Sequence, residues 1–291
     1  VTILRPDLRR AGPALPLADS PSARAAVARL VDADPVVNVV VAARLTAAGS
    51  LLPTRLGGQL IGVRGPGGLA GACFAGGNLL TIGGDPDSWR ALGGYLAAEP
   101  RLCSSIVGRA DAVRAVWHEV RAAWGPSRET RWSQPLLVLD STPAVEPDPA
   151  VHRATHAELD RYLAAAATMF TEELGVSPHV SPGTEAFRAR IGHLIDRGHA
   201  FMSADFRGQV VFKAEIAAVS RATAQVQGVW VRPDLRGRGI GTAGLAAVFR
   251  AALQLAPTVS LYVNDYNVAA QTMYQRLGMR SHAVLATVLL P

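Results

Sequence analysis

The sequence predicts an α/β chain built in two halves, and three observations carry that prediction. Between Gln227 and Phe249 a β-branched run passes through a glycine-rich turn into apolar residues at helical spacing, Leu245, Val248, Phe249 and Leu253. Residues 141–149, Ser-Thr-Pro-Ala-Val-Glu-Pro-Asp-Pro, are proline-rich with little to bury and read as a linker between 1–140 and 150–291. On both sides of that linker, strand and helix candidates follow one another in a similar order.

In the first half, Gln59–Val63, Gly68–Phe74 and Asn78–Ile82 read as strands, Ser88–Leu96 as a helix, Ser104–Val107 as a strand and Ala110–Ala123 as a helix. The second half reads as a strand at 151–156, helices near 157–170 and 184–197, and strands near 199–204, 209–219 and 223–231. The glycine turn and its helix follow, then a strand from Thr258 to Asn264, a helix carrying Tyr274 and a final strand at 283–290. Sliding the chain by 156 residues sets Val107 on Val263, Asp111 on Asn267 and His118 on Tyr274. That registration reads as an internal repeat; two unrelated halves sharing an element order is the alternative.

The turn Arg236-Gly237-Arg238-Gly239-Ile240-Gly241 opens a helix. Such a turn leaves several N–H groups unpaired at a helix end where the dipole favours negative charge. Glycines let the backbone approach a diphosphate without a Cβ in the way, and Arg236 and Arg238 add cationic donors. Tight packing at a strand–helix corner is the bland alternative. The pattern is neither G-x-x-x-x-G-K-[ST] nor G-x-G-x-x-G, which argues against a nucleoside triphosphatase or dinucleotide fold.

Arg236, Gly239 and Gly241 fit R-x-x-G-x-G, and the turn resembles the cofactor loop of the GNAT (GCN5-related) N-acetyltransferases. Asn267, Ala270 and Tyr274 fit N-x-x-A-x-x-x-Y, with Gly278 as a helix C-cap and a strand between this segment and the loop. The resemblance covers about 140 residues and implies an acetyltransferase domain in the second half, with acetyl-CoA as co-substrate and no metal. It also implies that each half holds a central mixed, mostly antiparallel sheet flanked by helices. Asn267 would contact the pantetheine arm, and Tyr274 would lie near the thioester sulfur. In the first half Ile82-Gly83-Gly84-Asp85-Pro86-Asp87 stands where the loop should be, and its acids would repel a diphosphate. The first half is therefore expected to be a degenerate copy. D-A-D-P-V-V-N (32–38), Q-L-I-G (59–62), M-F-T-E-E-L-G-V-S-P (169–178) and V-Q-G-V-W-V (226–231) resemble an actinobacterial two-domain group whose first half has no assigned function.

Acetyl transfer to an amine needs a neutral nucleophile, a polarised thioester carbonyl and a proton for the departing thiolate. Gly228 is a candidate bulge that would free main-chain groups of Val229, Trp230 and Val231 for the coenzyme. Tyr274 is the candidate general acid, its phenol giving up a proton as the carbon–sulfur bond breaks; a half-buried aromatic is the plainer reading. Gln225 and Gln227 stand where many relatives carry a glutamate, so the base is sought at Glu215. Glu215 alternates in phase with Lys213, and pairing with that lysine is the competing reading. Glu172 and Glu173 are candidates for binding a cationic acceptor, or a solvated helix end.

The chain of 291 residues, 49% hydrophobic, can bury a sizeable core. Its apolar stretches are short and interrupted, so no membrane span or secretory leader is expected, and a cytoplasmic location is. Cys73 and Cys103 lack metal spacing and read as buried thiols. His152 and His156 are spaced i, i+4, but on a strand candidate, which makes a metal pair improbable. Net charge is +6, with a pI near 10.0. Lys213 is the sole lysine, and the arginines are scattered among acids, a poor pattern for nucleic acid and a suitable one for a polyanionic coenzyme. The expected activity is acetyl-CoA-dependent N-acetylation of a primary amine: a protein lysine, a protein N-terminus or a small amine. A coenzyme A-binding regulator without turnover and a basic interaction protein are the alternatives.

Overall fold

The computed structural model describes residues 12–175 and 183–291, so the last three residues of the 169–178 motif lie outside the described residues. Along the chain run β1 (Ala14–Pro16), α1 (Pro21–Ala33), α2 (Val39–Ala48), α3 (Pro53–Leu56), β2 (Gly58–Gly65), β3 (Gly68–Gly76) and β4 (Leu79–Gly83). Next come α4 (Pro86–Ala98), β5 (Ser105–Arg109), α5 (Ala110–Trp124), β6 (Glu129–Leu139), β7 (His152–Arg153), α6 (Leu159–Leu174) and α7 (Gly183–Asp196). The remainder is β8 (Ala200–Ala204), β9 (Val210–Val219), β10 (Ala224–Val231), α8 (Ile240–Ala252), β11 (Val259–Tyr262), α9 (Val268–Arg276) and β12 (Arg280–Leu289).

Two compact units emerge: residues 1–136 with 282–291, and residues 137–281. This division differs from the proline-rich boundary read in the sequence. β12 pairs antiparallel with β5, Leu285 opposite Arg109 through Leu289 opposite Ser105, so the last strand belongs to the first unit's sheet rather than the second's. Inside the first unit Thr287 also donates to Gln134 of β6 at 2.7 Å.

In the first unit the strands lie in the order β1-β2-β3-β4-β5-β12-β6, with β4 and β5 parallel over Leu79–Ile106 and Leu80–Val107. In the second unit the order is β11-β10-β9-β8-β7, with β10 and β11 parallel over Ala224–Val259 and Gln225–Ser260. Each unit thus holds a mixed, mostly antiparallel sheet in which one parallel pair is joined through a helix, α4 or α8.

Strand alternation gives each sheet two apolar faces. In the second unit Phe212, Ala214, Ile216, Ala224 and Val226 meet Leu245, Val248 and Phe249 of α8. Ala200, Met202, Val210 and Trp230 meet Tyr162 of α6 and Ile191 and Leu194 of α7 on the other face. In the first unit Ile61, Val63 and Cys73 face α4 and α5, while Leu60, Ala72 and Phe74 face α1 and α2. Cys73 and Cys103 are free and buried.

Candidate functional site

β10 and β11 separate early. Only Ala224 and Gln225 have partners on β11, whereas β10 continues to Val231. Against β9 the register jumps between Gln227, opposite Glu215, and Trp230, opposite Lys213. Gly228 and Val229 therefore share one place in the ladder, which is the bulge expected at Gly228. Gly228 has φ +61°, the left-handed region that glycine tolerates. A Cβ there would lie 3.1 Å from Lys213 Nζ and 3.3 Å from the Glu215 carboxylate, so the bulged backbone rests on that charged pair. The bulge also sorts the side chains. Val229 and Val231 pack toward α8, while Trp230 turns to the α6–α7 face, which leaves Trp230 only its main chain to offer a coenzyme.

Beyond β10 a short 3-10 turn, Pro233–Leu235, leads into Gly237 (φ +76°) and Gly239 (φ +82°). Gly239 caps α8 with no side-chain hydrogen bond, and the first main-chain bond there is Ala243 N–H to the Gly239 carbonyl, 3.0 Å. Among the described residues, no group outside the helix meets the amides from Gly237 to Thr242. A Cβ on Gly237 or Gly239 would meet nothing within 4 Å. Gly241 is different: its Cβ would sit 3.0 Å from Met273 Sδ and 3.2 Å from Val231 Cγ2, where the start of α8 is wedged between α9 and β10. Unpartnered amides, open space above two glycines and a helix N-terminus fit a diphosphate. Arg236 is already engaged, its Nε donating to the Val231 carbonyl at 2.9 Å and its Nη2 to Glu172 Oε2 at 2.6 Å. Arg238 is exposed and has no ion pair among the described residues.

Asn267 caps α9, its Oδ1 accepting from the Ala270 N–H at 3.1 Å, which leaves its amide nitrogen to donate to a ligand. Tyr274 is 6% exposed, and its hydroxyl has no hydrogen-bond partner among the described residues. Burial, and then the charge of Glu173, hold its phenol well above the usual range. The hydroxyl is therefore protonated at neutral pH, as a proton donor must be.

Glu215 is fully buried and receives Lys213 Nζ at 2.8 Å, Arg190 Nη2 at 2.9 Å and the Gln227 amide at 3.4 Å. Of its two sequence readings, the pairing with Lys213 is present. Burial alone would raise its pKa, but Lys213 and Arg190 outweigh that, and the carboxyl lies below its ordinary range. A carboxylate so stabilised is a weak proton acceptor. Sequence reasoning missed Arg190 and the fully buried Tyr162, whose ring lies 5.2 Å from Lys213 Nζ and whose hydroxyl donates to the Ala214 carbonyl at 3.1 Å. It also missed the bond from Arg236 to Glu172. No local pattern announces contacts across such separations.

The corresponding corner of the first unit is closed from within. Asp85 caps α4 and accepts from Ser88 N–H at 2.8 Å, a bond that lowers its pKa and sets an anion on the amides a phosphate would need. Among the described residues there is no cluster of three or more metal-ligating side chains, and no helix long and apolar enough to cross a membrane.

Residues 159–279 match the model of the acetyltransferase (GNAT) family, and residues 58–162 match a domain of unknown function, DUF4081. No curated protein matches the chain. Among solved structures, a Drosophila protein is similar at 14% identity and a TM-score of 0.63, over 96% of this chain and 99% of that one. A GCN5-related N-acetyltransferase from Sphaerobacter thermophilus is 19% identical with a TM-score of 0.56, over 98% and 96%. A tandem GNAT protein from the clavulanic acid biosynthesis pathway is 14% identical with a TM-score of 0.50, over 95% and 98%. At such identities these likenesses speak for the fold, and the family match speaks for the site-bearing segment. The C-terminal unit is an acetyltransferase domain of the GNAT family.

Proposed function

We propose that the C-terminal unit transfers an acetyl group from acetyl-CoA to a primary amine, on a protein lysine, a protein N-terminus or a small molecule. The observation that carries this reading is the set of amides from Gly237 to Thr242, unpartnered among the described residues, at the end of a strand that diverges from its neighbour. Those amides, with Arg238, would hold the diphosphate. Main-chain groups of Val229, Trp230 and Val231, and the Asn267 side-chain nitrogen, would hold the pantetheine in the gap between β10 and β11. Acetyl-CoA supplies the activated acyl group as a thioester. Bulge amides would stabilise negative charge developing on its oxygen, and the Tyr274 hydroxyl would deliver a proton to the leaving sulfur. Glu172 and Glu173 would attract the acceptor as its ammonium form. Glu215 and Glu173 are the carboxylates to be compared as base, and the shielding of Glu215 by Lys213 and Arg190 favours Glu173.

That shielding also supports a second reading, coenzyme A binding without turnover. Thiol release measured over a panel of amines, beside calorimetric titration with acetyl-CoA, separates the two. Turnover on any amine supports transfer; tight binding with none supports the regulator; absence of binding removes both.

A further inference from the structure

We propose that Glu172 and the coenzyme's diphosphate exchange places at Arg236: the carboxylate holds the guanidinium while the cradle is empty, and diphosphate binding releases it to receive the acceptor's ammonium group. This deepens the transferase reading and rests on it. Arg236 stands immediately before Gly237, at the start of the open amides, and its Nε bond to the Val231 carbonyl keeps the guanidinium at the loop. Of the two arginines in the turn, Arg236 is thus the one Glu172 occupies at 2.6 Å.

The pair is built to part. Its side chains are 50% and 37% exposed, unlike Lys213 and Glu215 at 0% and 1%, so water can take over either partner at small cost. Glu172 lies in the last turn of α6, where the negative end of the helix dipole disfavours a carboxylate. Arg236 offsets that disadvantage only while it stays. A diphosphate arriving at the amides carries more charge than a carboxylate and competes for the same guanidinium. Once released, the exposed carboxylate of Glu172 no longer has Arg236 to neutralise it, and it is next in sequence to Glu173, whose charge reaches Tyr274. An ammonium group answers that need. The exchange makes Glu172 a positioning residue.

The test is calorimetric titration of the full chain with acetyl-CoA, for wild type, Glu172→Gln, Arg236→Gln and the double variant. Glu172→Gln should tighten acetyl-CoA about two- to fivefold at low ionic strength, the range an exposed ion pair carries, and the gain should shrink in high salt. In the Arg236→Gln background the same substitution should give no gain. Steady-state kinetics of Glu172→Gln should show a raised KM for the amine with kcat little changed. Binding that is unchanged or weakened in Glu172→Gln, or a gain that survives without Arg236, overturns the exchange while leaving the transferase reading in place. Failure of the wild-type chain to bind acetyl-CoA overturns both.

Discussion

Lys213 and Glu215 are both removed from water, and in such a place the partner matters more than the charge. Replacing Glu215 by Gln leaves a buried ammonium with a neutral neighbour, at a cost of about 3–5 kcal/mol, the range for breaking a buried pair. Urea unfolding reads this directly. The pH dependence follows from the lowered carboxyl of Glu215. Its stabilising contribution is present above the unfolded value near 4.5 and is lost as pH falls through the lower folded value. Wild type should therefore lose stability on acidification more steeply than Glu215→Gln, and equal acid limbs would contradict the assignment. Tyr274→Phe removes one hydroxyl from a ring that packs in the apolar core of the second unit. Turnover should fall about 10²-fold, the lower range for acid–base assistance, with acetyl-CoA affinity nearly unchanged in the same calorimeter. The Lys213–Glu215 pair was legible because strand alternation puts them on one face. Arg190, which lies 25 residues from Glu215, was not, since only the packing of α7 brings it there.

The unit that aims the cradle is α8, and its position is set by a missing side chain. A Cβ on Gly244 would stand 2.9 Å from three atoms of the Phe212 ring, itself fully buried in the sheet. Helix and strand are therefore in contact at backbone distance. Gly244→Val should cost about 1–3 kcal/mol by overpacking and lift the helix N-terminus from its alignment. The expected result is weaker acetyl-CoA binding without any contact to the ligand being touched; full affinity in a destabilised Gly244→Val chain would show that the aim of α8 is not critical. At this scale the sequence was most readable where the signal is local. The strand, the glycine turn, the helix and the bulge at Gly228 each depend on consecutive residues. The early parting of β10 from β11 depends on more than consecutive residues, because ladder length is set by how the two strands twist together.

Over the whole chain, an apolar strand at the C-terminus was visible, but the sheet it joins was not. A strand's hydrophobic alternation carries no label for its neighbour, and chain order favoured the second half. The structure instead places Ala286, Val288 and Leu290 in the first unit's core with Trp89, Leu92, Val113 and Val116. The division between the units falls at Leu136 and Leu137, shortly before the proline-rich stretch at 141–149. Deleting residues 282–291 should leave β5 without its antiparallel partner and withdraw buried Val288 and Leu290, each worth about 1.5–3 kcal/mol. Hydrogen exchange is the measurement that resolves the units. Amides of β4 and β5 should lose protection in the shortened chain, while those of β9 and β10 keep theirs and acetyl-CoA is still bound. Equal protection of β5 with and without the last strand would mean that the first unit is complete without it. Loss confined to β9 and β10 would return that strand to the second half.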